Sequence, residues 1–287
     1  MKNIKKNISF IYLFIGTFLI FWFLFSLMMP KANNISQPKV EEPKEKRIEM
    51  IRLSAIGDSL TEGIGDTTSS GGYIPLLQKD LSAEYPVDVF QAENFGKSGD
   101  RSDQILKRLK KNENMSKSVK DADVILLTVG GNDLMQALQP KLFGKISIEK
   151  MEKPKKVYLD RMQELYDEIR RLNPEAPIYQ LGIYNPYYLT FSEIPELQDI
   201  VNFWNKSSQE FVNEQGNAYF VPINDDMYQG LKDGTVSLES AETTSDSGVV
   251  NGLISPEDTV HPNNQGYQII ANAFELKMGA TKKEWLK

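Results

Sequence analysis

The chain has 287 residues, 40% apolar and 25% charged, with a formal net charge of −6, a composition that excludes disorder throughout and allows one large core or two modest ones. It contains no cysteine and a single histidine, which removes disulfides, thiolate nucleophiles, cysteine–zinc centres and histidine-rich metal sites. Residues 1–47 carry 8 Lys/Arg and 3 Asp/Glu; the remainder keeps 25 basic against 36 acidic residues, and its 11 negative charges argue against nucleic acid as a partner.

Three lysines lie in "MKNIKKN", and Ile8 to Met29 then run 22 residues without a charge. As a helix that run would be roughly 33 Å long, enough for the hydrocarbon core of a bilayer. It ends in "SLMMPKANN", without the small-residue pattern of a cleaved signal peptide. Residues 1–29 are therefore expected to be an uncleaved membrane anchor, and residues 30–47, polar and Pro-containing, a spacer. The domain of residues 48–287 is expected outside the cytoplasm on a single-pass anchor, or secreted if the segment is cleaved. The flanking charges do not choose an orientation cleanly.

Beyond residue 48, short apolar runs alternate with longer amphipathic ones. Residues 50–56, 87–94, 123–129, 177–183 and 218–223 read as strands, the third apolar enough to be buried on both faces. Residues 72–83, 101–111, 155–172, 195–215 and 264–276 read as helices. This alternation predicts an α/β domain with one parallel sheet of about five strands between two helical layers. Ligands of such sheets bind beyond the carboxyl ends of the strands, which directs attention to the segments following residues 56, 94, 129, 183 and 223.

After the first strand comes "IGDSLTEGIG". Ser59 would project there from a tight turn, although Gly-Asp-Ser is also good turn and N-cap chemistry. Thr61 stands where a G-x-S-x-G nucleophile elbow needs its second glycine, which disfavours the α/β-hydrolase fold. After the second strand comes "NFGKSGDRSDQIL", where Gly99 either serves a loop and helix start or lets a backbone N–H approach a developing anion. The third strand ends in "LLTVGGNDL", where the two glycines and the Asn-Asp pair either simply turn the chain or bring the Asn132 amide to donate to the same place. The lone histidine lies in "PEDTVHPNNQGY", where one short loop can supply His261 and a carboxylate, Asp258, to fix its tautomer. Pro262 keeps His261 extended before the last helix.

These four blocks, "GDSLTEG", "GKSGD", "GGND" and "DTVHPN", resemble in order those of the SGNH hydrolases, the GDSL family of esterases and lipases, over about residues 50–276. The resemblance implies a flavodoxin-like three-layer α/β/α sandwich and no metal or organic cofactor. It implies Ser59 as nucleophile, His261 as general base and then acid, and Asp258 as its orienting partner. It also implies an oxyanion hole from the Ser59 and Gly99 backbone N–H groups and the Asn132 side chain, with Gly96 as the alternative glycine. Because neutral imidazole is required, kcat/KM is expected to rise with pH.

The function is left open between an acyl hydrolase of lipid or small carboxylic esters and a carbohydrate O-acetyl esterase or acetyltransferase acting on cell-wall or exopolysaccharide sugars. A non-enzymatic binding protein is disfavoured by the complete set of residues. "GIYNPYYLTF" offers three tyrosines and Phe191 either to grip a substrate or to pack a loop, and residues 229–255 form either a lid or a solvated insertion. The oligomeric state is not fixed.

Overall fold

The unbroken apolar run "VILLT" forms strand β3, Val124–Thr128, and every residue of it is buried. Its neighbours in chain order are β1 Ile48–Gly57, β2 Val87–Gly96, β4 Ile178–Leu181 and β5 Ala218–Val221, paired in the spatial order β2-β1-β3-β4-β5. All four pairings are parallel. The five strands match the expected ones to within a few residues. In this computed structural model the described residues are 2–28, 47–141, 146–188, 194–229, 243–245 and 248–287. They fall into two units, Met1–Lys44 and Glu45–Lys287.

The first unit holds helix α1, Lys2–Met28, whose side chains are described from Ile15 onward and are largely exposed, Phe21 and Trp22 among them. Among the described residues no helix is long and apolar enough to cross a membrane, so the expected anchor gains no support from this count. The earlier part of the apolar run falls outside the described side chains. The expected spacer lies outside the described residues except for Arg47.

In the second unit, successive residues of β3 face opposite layers. Ile125 and Leu127 join a core with helices α4 Ser102–Lys111, α5 Glu113–Asp121, α7 Glu152–Leu172 and α8 Pro195–Glu214. Val124 and Leu126 join the opposite core, with α3 Tyr73–Glu84 and α10 Asn264–Ala280. Burial on both faces is the packing that a parallel sheet requires. Among the described residues four further helices were not expected: α2 Ser59–Glu62, α5, α6 Gly131–Leu138 and α9 Asn224–Gln229. Each is short, and α5 buries only Met115, Ser118 and Val119, too few apolar positions to announce a period. The segment considered as a lid contains the hairpin β6 Thr243–Ser245 and β7 Gly248–Val250; residues 230–242 and 246–247 lie outside the described residues.

Candidate active site

Strands β1, β2 and β3 deliver the first three sequence blocks to one edge of the sheet, and the loop before α10 brings the fourth. At the end of β1, Asp58 caps α2: its Oδ1 accepts from Leu60 N–H at 3.1 Å and from the Thr128 hydroxyl at 2.7 Å. Burial pushes the Asp58 carboxyl up, against the hydrogen bonds from Thr128 and Leu60. Thr61 Oγ1 joins Thr128 at 2.8 Å and Tyr73 OH at 3.2 Å, so the turn that carries Ser59 is pinned from below by a buried polar chain.

The residues that sequence reasoning set 202 positions apart meet here. Ser59 Oγ lies 2.8 Å from His261 Nε2, and His261 Nδ1 lies 2.5 Å from Asp258 Oδ2. Asp258 Oδ1 also accepts from Val260 N–H at 2.9 Å and His261 N–H at 3.0 Å. Thr259, with a left-handed φ of 58°, makes the tight turn between them. Burial alone would raise the Asp258 carboxyl, but hydrogen bonds from the His261 backbone and ring and from Val260 outweigh it and hold the acid below its usual range. An ionised Asp258 assigns the ring proton to Nδ1 and leaves the Nε2 lone pair facing the Ser59 hydroxyl.

The loop bearing His261 is held from several sides. Ser255 N–H donates to the His261 carbonyl at 2.7 Å, and Tyr184 OH to the Val260 carbonyl at 2.7 Å. Gly65 lies so close that a Cβ there would stand 2.4 Å from the Pro262 carbonyl oxygen. The turn containing Gly65 is organised by Asp66, which accepts from the N–H and hydroxyl of Thr68 and Ser70 and from the N–H of Gly71 and Gly72. None of this support was visible in the spacing of the motifs.

The two glycines of the second block separate clearly. Gly96 packs on the α2 backbone, where a Cβ would meet Glu62 N at 2.0 Å, and its N–H donates to Asn94 Oδ1 at 2.8 Å. Gly99 has a left-handed φ of 81°, open space where a Cβ would be, and an N–H that none of the backbone bonds among the described residues uses. Asn132, at the start of α6, donates Nδ2 to the Asp100 carbonyl at 2.9 Å, which ties it to the Gly99 loop. Gly96 is thus committed to packing, whereas the Gly99 N–H takes part in none of the backbone bonds among the described residues.

Ser59, Asn132 and His261 line one cavity of about 580 Å³. Its remaining wall is mostly apolar, with Leu134, Met135 and Leu138 from α6, Ile146, and Leu197 and Val201 from α8. Tyr184 and Tyr187 also line it, while Tyr188 stacks on Tyr228 and Phe191 lies outside the described residues. Such a site can place an ester carbonyl against a serine–imidazole pair with its acyl chain removed from water. Among the described residues no group of His, Asp or Glu is gathered as a metal site.

Residues 55–269 match the GDSL-like lipase/acylhydrolase family. The chain is 33% identical over 256 residues to the uncharacterized protein YpmR of Bacillus subtilis (strain 168), with 89% of this chain and 90% of that protein covered. Among solved structures it is similar to the lipase Lip_vut3 from a goat rumen metagenome, with a TM-score of 0.58 at 20% identity, covering 79% of this chain and 97% of that one. It is also similar to a variant of Axe2, an acetyl xylan esterase from Geobacillus stearothermophilus, with a TM-score of 0.55 at 22% identity, covering 82% and 97%. These two likenesses, at such identities, show the shared α/β fold.

Proposed function

Because the chain belongs to the GDSL-like lipase/acylhydrolase family and is a carboxylic ester hydrolase, we propose that it cleaves fatty-acyl esters through an acyl-enzyme on Ser59, working at the extracytoplasmic face of a membrane. The observation that carries this reading is the Ser59–His261–Asp258 hydrogen-bond relay opening onto an apolar cavity much larger than an acetyl group needs.

In the first step Ser59 Oγ bonds to the ester carbonyl carbon while its proton passes to His261 Nε2, and the ester π electrons move to the oxygen. The Ser59 and Gly99 N–H groups and Asn132 Nδ2 stabilise that oxyanion, each such donor being worth on the order of 100-fold in rate. The intermediate collapses, the carbon–oxygen bond to the alcohol breaks, and His261 returns the proton to the leaving oxygen. Water then attacks the acyl-enzyme with His261 again as base, releasing the acid and Ser59. Asp258 keeps the ring in the required tautomer and stabilises the imidazolium.

The membrane part of the proposal rests on the uncharged run from Ile8 to Met29, the continuous helix Lys2–Met28 and its exposed aromatic side chains. The test uses the full chain in detergent micelles. A fluorophosphonate should label it and leave Ser59→Ala unlabelled, and a series of p-nitrophenyl esters from acetate to dodecanoate should be cleaved best at hexanoate or beyond. Strict preference for acetate would sink the fatty-acyl assignment and favour a carbohydrate O-acetyl esterase, or an acetyltransferase using the same acyl-enzyme.

A further inference from the structure

Helix α4 begins just after Gly99 and buries Ile105, Leu106 and Leu109 along one stripe. Arg108 falls three residues after Ile105, at a position where that stripe calls for an apolar side chain. Its side chain is only 21% exposed, and its partner Asp100 only 6%. The guanidinium reaches three different segments: Nε donates to Asp100 Oδ2 at 2.5 Å, Nη1 to the Phe95 carbonyl at 2.9 Å, and Nη2 to the Gly57 carbonyl at 2.8 Å.

Those three acceptors are where the oxyanion donors begin. Gly57 precedes Asp58 and Ser59, Phe95 is the penultimate residue of β2, and Asp100 follows Gly99. The Asp100 carbonyl in turn accepts from Asn132 Nδ2, so one charged fork links the supports of all three donors. We infer that Arg108 is a positioning residue that sets the nucleophile turn and the Gly99 loop in register, so that the Ser59 N–H, Gly99 N–H and Asn132 amide converge on one oxygen. This inference rests on the proposed roles of Ser59, Gly99 and Asn132.

The chemistry demands arginine. Three acceptors in three directions match a planar, rigid fork of donors, whereas a lysine ammonium at the end of a flexible stem is a point charge without that geometry. A salt bridge this enclosed adds little net stability but is costly to break from one side, since it leaves Asp100 charged and unpaired. Removing both charges together should therefore restore much of the fold without restoring the register.

The test uses the full chain in detergent micelles, with Arg108→Lys, Arg108→Gln and the double variant Arg108→Gln/Asp100→Asn. For each, kcat and KM are measured on an ester the parent cleaves, alongside the affinities for a trifluoromethyl ketone and the methyl ketone of the same acyl chain. Only the former adds Ser59 Oγ and forms an oxyanion. Folded Arg108→Lys should lose about tenfold or more in kcat with KM within about twofold, the loss expected of a misplaced donor. Its trifluoromethyl ketone affinity should weaken by a similar factor while methyl ketone binding and the pH profile stay as in the parent. The double variant should melt closer to the parent than Arg108→Gln does and remain slow. A folded Arg108→Lys with unchanged kcat, or equal weakening of both ketones, would overturn the inference alone. An active Ser59→Ala would overturn the nucleophile assignment and this inference with it.

Discussion

Asp258 uses both carboxylate oxygens within one loop: Oδ1 takes the N–H groups of Val260 and His261, and Oδ2 the imidazole. An amide in its place can keep one set of bonds only by presenting NH₂ to the other, so Asp258→Asn should turn the ring to the wrong tautomer while the loop stays folded. Its kcat should fall by about 10³ to 10⁴, and a loss under tenfold in a folded protein would show that the carboxylate is dispensable. Asp66 does comparable work in the neighbouring turn. Burial alone would raise its carboxyl, but the six bonds around it win and hold the acid well below its usual range. For a depressed acid the stabilisation is fully present above the unfolded pKa, here near the 3.8 of a free aspartate, and is lost as pH falls through the lower folded value. Asp66→Asn should therefore cost about 1–2 kcal/mol at pH 7, with its melting temperature converging on the parent's as the pH is taken below 4. A constant gap from pH 7 into strong acid would refute that account.

At the scale of elements, the strands and the long helices announce themselves, because each is built on an unbroken apolar run or a stripe repeated over several turns. The short helices do not. In α6 the same "GGND" that reads as a turn with a donor also starts an eight-residue helix, with Gly130 left-handed before it. The four blocks could be assigned to the sheet edge from sequence order alone, yet the cavity could not be seen. Its walls come from Leu134 and Leu138 on α6 and Leu197 and Val201 on α8, and periodicity says that such residues are buried without saying against what. Arg108 did leave a signal, a charge inside an apolar stripe, which becomes informative only once the ends of β1 and β2 are known to lie within its reach. The cavity leads to a prediction about α6 as a wall: Leu138→Trp should fill part of the acyl space. Its kcat/KM on decanoate should fall by about tenfold or more, with the acetate ester changed by less than about threefold. Equal losses on both esters would mean that the chain does not lie along α6.

At the scale of the whole molecule, the candidate site and the uncharged N-terminal run lie in different units of the chain. Ser59, Gly99, Asn132, Asp258 and His261 all belong to the unit Glu45–Lys287, and every polar bond cited for them stays within it. The run from Ile8 to Met29 belongs to the other unit; an uncharged stretch of this length is what a bilayer selects. The excess of 11 negative charges on the domain of residues 48–287 would also keep it off an anionic membrane surface unless something tethered it. If α1 is that tether, removing residues 1–44 should release a soluble protein whose kcat/KM on a short soluble ester stays within about twofold of the full chain's, since a unit with its own core folds by itself. The full chain, expressed in a bacterium, should stay in the membrane fraction through an alkaline carbonate wash, and protease added to intact cells should destroy its fluorophosphonate labelling. Extraction by the wash would remove the anchor. Labelling that survives the protease until the cells are opened would put the domain on the cytoplasmic side and turn the search for its ester toward the inner leaflet.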